Sequence, residues 1–367
     1  MRARAVLTVL SVLTVVTTTV AVAAPAGAAP PPRPACGDTL TVDTRLRADL
    51  VCDGAGLRVG PGVTLDLGGH TVRGSGAGVG VAVASEGTVR VRNGTLAGWG
   101  EGIATYAVPD TDTGPLVVDR VRFTGNVTGL LASGEDGTGL YGKDATVTRS
   151  TFRDNTWGLL ALWHIEVDVQ RTTFASNGTG VEAGDSQVDV AGSRFARNDV
   201  AMSLGQSGTT ITGTTFVDNP RGLTVAPTSG ATVTGSTFVG SDVAVAGYGN
   251  PTVLHIDGNR FTDNGTAVSF DLSDGSVTGN TFRGNGTGLL VVQAPWDVTL
   301  VQDNTFVRGG DGIRVEQGDA LLQLGGNDAR RNSGWGILAP DVTDLGGNTA
   351  RGNGNEPQCV GVVCGTS

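Results

Sequence analysis

The stretch Ala145-Thr146-Val147-Thr148-Arg149-Ser150-Thr151-Phe152 returns as Ala231-Thr232-Val233-Thr234-Gly235-Ser236-Thr237-Phe238, and in shorter form as Ser276-Val277-Thr278-Gly279-Asn280-Thr281-Phe282. Outward from these phenylalanines, one anchor position recurs at Val72, Leu96, Phe123, Phe152, Phe174, Phe195, Phe216, Phe238, Phe261, Phe282, Phe306, Ala329 and Ala350. Most spacings are 21 to 24 residues, and two are 27 and 29. Five residues before the anchor stands an apolar residue, as at Val147, Val169, Val190, Ile211 and Val233. Seven residues after it stands another, as at Val79, Ile103, Leu130, Leu159 and Val181. Around these positions apolar and polar residues alternate, the two-residue period of a strand.

A fixed period of this length marks a repeat architecture. One coil is too short to bury its own apolar face. Coils stacked at about 4.8 Å bring like residues over like, and the inward side chains form continuous ladders. The reading is an all-β, single-stranded, right-handed parallel β-helix (a solenoid) of about 13 coils, a rod of roughly 60 Å at that spacing. Phe123 through Phe282 are expected to stack inside it. An asparagine recurs three residues after the anchor, at Asn126, Asn155, Asn177, Asn198, Asn219, Asn264 and Asn285, often with glycine three further on. Asparagine tolerates left-handed backbone and can bond up and down a stack. The glycines are assigned to tight corners. A leucine-rich repeat would need a leucine-asparagine consensus and a helical segment, and a β-propeller a longer repeat.

The chain opens with Met1-Arg2-Ala3-Arg4, an apolar run to about Ala23, and small residues with Ala26 and Ala28 in an A-x-A arrangement. That order reads as a secretory signal peptide over residues 1–28. Residues 29–59 follow as a linker and N-terminal cap, 60–354 as the β-helix, and 355–367 as a C-terminal tail. No later run is long and apolar enough to span a bilayer. The mature protein is expected to be secreted, with no transmembrane segment. Without Arg2 and Arg4, 23 cationic residues face 35 acidic ones, a net charge of about −12. Such a balance argues against nucleic acid, which needs clustered basic residues. It suits neutral glycans, or anionic ones bridged by calcium.

Cys36 and Cys52 lie near one end of the mature chain, Cys359 and Cys364 near the other. In an oxidising compartment an even count reads as disulfides. Of three connectivities, Cys36–Cys52 and Cys359–Cys364 are favoured because each closes a short loop.

The opening Cys36-Gly-Asp-Thr-Leu, the run from Val63 to Val72 through Gly-Gly-His70, the Asn-Thr-Phe-x-x-Asn repeats and the closing segment from Gly347 to Cys364 resemble actinobacterial right-handed β-helix proteins of the NosD-like and pectate-lyase-like groups. The resemblance covers essentially the whole mature chain. It implies the fold and leaves the activity open, since relatives include lyases, epimerases, glycoside hydrolases and proteins with no known chemistry. The lyase, epimerase and polygalacturonase strings of those relatives are not recognisable here. Three histidines and one mature methionine, Met202, are too scattered for a copper site. His70 reads as a turn-packing residue.

One region interrupts the repeat. The spacings 96–123 and 123–152 hold inserts in the same phase, so both should leave one side of adjacent coils. The first carries Tyr106, Asp110 and Asp112, the second Glu135, Asp136, Tyr141, Lys143 and Asp144. In Trp163-His164-Ile165-Glu166-Val167-Asp168-Val169, alternation sends His164, Glu166 and Asp168 outward, and Glu182, Asp185 and Asp189 extend the acidic flank. Lys143, His164 and Glu166 are the candidate proton-transfer groups. Tyr106, Tyr141 and Trp163 are candidate sugar platforms. Asp110, Asp112, Glu135, Asp136, Asp168 and Asp189 are candidate calcium ligands. Asp168 and Asp189 share a column, where like charges repel unless a cation intervenes. The bland alternative is a solvated acidic face whose loops cover Leu131 and Leu160. Three functions stay open: a secreted or cell-envelope protein that binds polysaccharide or cell-wall glycan without catalysis; a polysaccharide lyase, epimerase or hydrolase; and a passive structural or adhesive rod.

Overall fold

The computed structural model describes residues 33–83, 87–105, 108–109, 114–134, 140–141 and 144–365, with only the backbone of 108–109 and 140–141. Strands are the only regular elements among them. Each coil carries three, as in Glu166–Gln170, Thr173–Ala175 and Thr179–Gly184. They belong to three faces, here called the valine face, the phenylalanine face and the broad face. The broad face is a continuous sheet of 15 strands from Thr39–Leu40 to Cys359–Val360, which makes about 14 turns, one more than the repeat count. The other two faces merge where Val89–Ala97 and Leu116–Thr124 run round the bend without a break.

Neighbouring coils pair in parallel and like over like: Val147 on Val169, Phe152 on Phe174, Leu159 on Val181. Nine phenylalanines, Phe123 to Phe306, form one column with ring centroids 4.4 to 5.0 Å apart and planes within 11° of parallel. All nine are fully buried. The ring spacing equals the strand spacing, so the sheet register itself sets the stacking.

The corners beside the phenylalanine face have a common cause. The residues three before and two after the anchor take left-handed backbone, as at Arg149 (φ 50), Arg171 (φ 49), Asp154 (φ 56) and Ser176 (φ 56). The residue after most of these bends turns a short polar side chain into the corner. Asn155 donates its Nδ2 to Asn177 Oδ1 (3.0 Å) and to the Phe123 carbonyl (3.3 Å), and its backbone N–H to Asn177 Oδ1 (3.1 Å). Asn177 repeats this on Asn198, and Asn198 on Asn219. A second ladder stands two residues before the anchor, through Ser150, Thr172, Ser193, Thr214 and Ser236 to Asn259, Asn280, Asn304, Asn327 and Asn348. Buried amides require partners, and here each coil supplies its neighbour's.

Two expectations are corrected. The glycines six residues after the anchor are in strands and make no corner. A Cβ on Gly158 would meet the Gly180 carbonyl and, at 2.9 Å, the Phe174 ring. Smallness makes room for the phenylalanines, and the largest side chains in this column are the buried Ala201, Ala244 and Ala267. Val79 is also not the inward residue of its coil. It pairs with Glu101, and Val81 pairs with inward Ile103, because the run Gly74 to Gly78 lengthens that corner by two residues.

Stacking begins ahead of residue 60. Thr39, Thr44 and Leu50 already pair with Arg58, Leu65 and Val72. At the other end Cys359 pairs with Ile337 and Cys364 with Asn348. The disulfides Cys36–Cys52 and Cys359–Cys364 staple these terminal coils, with Cα separations of 5.7 and 6.2 Å. A terminal coil has a neighbour on one side only, so a crosslink there offsets missing core.

Phe216→Ala is expected to cost about 3–5 kcal/mol, read from the denaturant midpoint; a loss below about 1 kcal/mol would contradict a close-packed column. Asp119 gives a pH test. Burial pushes its carboxyl up, but hydrogen bonds from Thr148 and Arg149 and the charges of Arg120 and Arg149 outweigh this and hold it below its ordinary 3.8. A depressed carboxylate contributes stability above its unfolded value, and that contribution is lost as pH falls through the lowered one. Asp119→Asn should therefore destabilise by about 1–2 kcal/mol at neutral pH, with the difference from wild type shrinking below pH 3.8.

Candidate functional site

The interrupted region lies at the corner between the broad and valine faces. One insert follows Glu101–Thr105 and the next follows Thr128–Ser133, in adjacent coils. Their described parts, Val108–Pro109 and Leu140–Tyr141, pair antiparallel, with Val108 opposite Tyr141. The inserts thus leave one side of the rod and meet in a small ribbon. Tyr106, Asp110, Asp112, Glu135, Asp136 and Lys143 lie outside the described residues, as does the side chain of Tyr141.

In the following coil the same corner is made by Trp163 and His164, both with left-handed backbone (φ 60 and 56). His164 is therefore a corner residue and does not continue the strand alternation. Its Nε2 lies 3.3 Å from Asp185 Oδ2 of the next coil, with both side chains largely in solvent. Trp163 is 37% exposed.

Glu166–Gln170 then begins on the valine face, with Val167 and Val169 buried and Glu166, Asp168 and Gln170 exposed. Stacking gives two short outward columns over three coils. Thr146, Asp168 and Asp189 form one. Asp144, Glu166 and Gln187 form the other, with the Glu166 N–H donating to Asp144 Oδ1 at 2.9 Å. Together they line a shallow cleft of about 190 Å³.

The repulsion between Asp168 and Asp189 is relieved by neutral donors. Gln187 Nε2 and the Thr210 N–H each donate to Asp189 Oδ1 at 2.8 Å. Among the described residues, no three His, Cys, Asp or Glu side chains gather as a metal would require. The carboxylates of Glu166 and Asp168 have no hydrogen-bond or ion-pair partner among the described residues and face solvent. Glu182 does not extend this flank. It sits on the broad face over Leu160, where its Oε2 accepts the Trp157 indole N–H at 2.9 Å. Leu131 and Leu160 on that face are half-buried. His70 is tied to Asp49, Nδ1 to Oδ1 at 3.2 Å, at a corner remote in sequence from the inserts.

The right handed beta helix region family matches residues 55–238 and 201–354. The chain belongs to this β-helix family. Its coils therefore wind right-handed, as parallel crossovers do. No curated protein matches the chain. Among solved structures it is similar to the catalytic unit of a thermostable GH87 α-1,3-glucanase from Streptomyces thermodiastaticus strain HF3-3, at 16% identity and TM-score 0.41, over 88% of this chain and 63% of that one. It is also similar to the A-module of the mannuronan C-5 epimerase AlgE6 from Azotobacter vinelandii, at 14% identity and TM-score 0.33, over 83% and 90%. This β-helix thus spans less than two thirds of the glucanase unit, and at these identities the likeness concerns fold alone.

Thr146 and Gln187 belong to the cleft but were not picked out from the sequence of this β-helix. The signal was present: Thr146 stands six residues before its anchor, like Asp168 and Asp189, and Gln187 eight before, like Glu166. Because Glu166 and Asp168 hold no fold contact, Glu166→Gln and Asp168→Asn are expected to shift stability by less than about 0.5 kcal/mol in denaturant unfolding. A larger loss would give these side chains a structural role.

Proposed function

We propose that this β-helix is a secreted, glycan-binding protein. Its binding surface is the cleft of Asp144, Glu166, Asp168, Gln187 and Asp189, flanked by Trp163 and the insert ribbon. One observation carries the reading: two carboxylates unpaired among the described residues, Glu166 and Asp168, stand exposed on one strand that follows an exposed indole, Trp163. Carboxylate and amide oxygens accept hydrogen bonds from sugar hydroxyls. An indole face packs on the apolar face of a pyranose while its edge stays wet. The coil step is close to the advance of one sugar along an extended chain, so stacked residues can meet successive sugars.

Secretion is part of the proposal. It is supported by the leader-like residues 1–28 and by two disulfides of the kind that persist in oxidising compartments. The finer kinship with actinobacterial NosD-like and pectate-lyase-like repeats rests on the sequence motifs. A calcium ion shared between Asp168 and a bound glycan belongs to the same reading, with Asp110, Asp112, Glu135 and Asp136 as further oxygen donors.

Affinity electrophoresis through gels containing dextran, starch, laminarin or xylan, with and without EGTA, tests the proposal. Retardation is expected in at least one neutral glycan, weakened by about tenfold or more in Trp163→Ala and in Glu166→Gln/Asp168→Asn. Equal retardation of wild type and variants, or none in any gel, would overturn it. Release of reducing ends or unsaturated products in the same samples would make the cleft catalytic, with Lys143, His164 and Glu166 the first groups to replace.

A further inference from the structure

The whole chain is acidic, but its charge is not evenly spread. On the phenylalanine face, the positions directly before and after each anchor point outward. Around the anchors from Val72 to Ala350 these positions hold eight arginines and a single acid, Asp328, and Asp49 stands before Leu50 in the coil ahead of them. The column before the anchor is ordered further. Parallel pairing runs from Arg122 through Thr151 and Thr173 to Arg194, through Thr215 and Thr237 to Arg260, and on through Thr281 and Thr305. Arginine thus returns at every third coil, about 14 Å apart at the strand spacing, with two threonines between. Arg122, Arg194 and Arg260 are exposed and have no ion-pair partner among the described residues. The adjacent column over the middle coils is low and apolar: Ala175 and Ala196, both buried, then Val217 and Val239, half-buried.

We propose that the phenylalanine face is a track for an extended anionic polysaccharide lying along the rod axis. Arg122, Arg194 and Arg260 meet its carboxylate or sulfate groups. A guanidinium presents a planar fork that fits such groups through paired hydrogen bonds. The intervening threonines offer hydroxyls that both donate and accept toward sugar hydroxyls. The half-buried Val217 and Val239 leave a low apolar patch against which sugar C–H faces can lie. Clustered arginines raise the local potential even on a protein of net negative charge.

Nucleic acid fits this face less well. Neither outward column contains an aromatic side chain on which bases could stack. One ordered arginine per three coils is also sparse beside a duplex that carries a phosphate about every 1.7 Å of axis. The track is separate from the valine-face cleft and does not depend on it.

Surface plasmon resonance of the purified chain against immobilised heparin, polygalacturonate, dextran and duplex DNA tests the proposal. Binding is expected to heparin or polygalacturonate, and not to dextran, through this face. The triple variant Arg122→Gln/Arg194→Gln/Arg260→Gln should lose about tenfold in affinity, the factor given by three exposed ion pairs in the middle of their usual range of strength. Its unfolding midpoint should be unchanged. Arg58→Gln/Arg90→Gln, on the other two faces, should stay within about twofold of wild type. No binding to either anionic glycan, undiminished binding by the triple variant, an equal loss in the control, or tighter binding to DNA than to either glycan would each overturn it. The valine-face variants are different residues, so the two proposals fail independently.

Discussion

A three-residue strand such as Thr173–Ala175 cannot hold itself together. Its amides and carbonyls, its buried Phe174 and the polar residues at its corners all find their partners in the coil before or after it. That dependence on stacking in register governs the rest of the molecule. A slip of one residue would turn Phe174 outward and break both corner ladders at once. Parallel pairing, coaxial rings and asparagine chains are three aspects of one constraint. It also explains why the terminal coils, each with a neighbour on one side only, carry the disulfides.

The same constraint divides the residues of each coil into two classes. Inward and corner positions must repeat, because each is the neighbour's partner. Outward positions face solvent, with only scattered contacts between coils such as Glu182 to Trp157, and are freer to vary. Variation there gives the faces different characters on a common frame: carboxylates and an amide on part of the valine face, arginines and threonines on the phenylalanine face. The coil spacing then lays any outward set out as a linear array, suited to linear ligands.

The candidate site was legible in the sequence where its residues keep the phase of the repeat. The shared phase of the two inserts placed them on one side, and the ribbon between Val108–Pro109 and Leu140–Tyr141 has the same origin. Alternation put Glu166 and Asp168 outward. His164 is outward as well, but from the corner, because two successive left-handed residues end the strand period there. Alternation also grouped Glu182 with Asp189, although an intervening corner sends them to different faces. The net charge suggested that a bare polyanion would be repelled, yet a whole-chain sum cannot register that the arginines collect on one face.

The sequence by itself determined the repeat, the inward columns, the terminal pairing of cysteines and the first asparagine ladder, since each is a recurrence at constant phase. Tertiary structure decided what recurrence does not encode. The glycines six residues past the anchor serve the phenylalanine rings and not the turns, because only the stacked neighbour brings a ring against their backbone. Asp189 is held by Gln187 and the Thr210 amide, two donors, one of them from the next coil, that neutralise a clash the column alone predicts. Arg122, Arg194 and Arg260 are distant in sequence and form one line only when three coils of chain fold into three strand spacings.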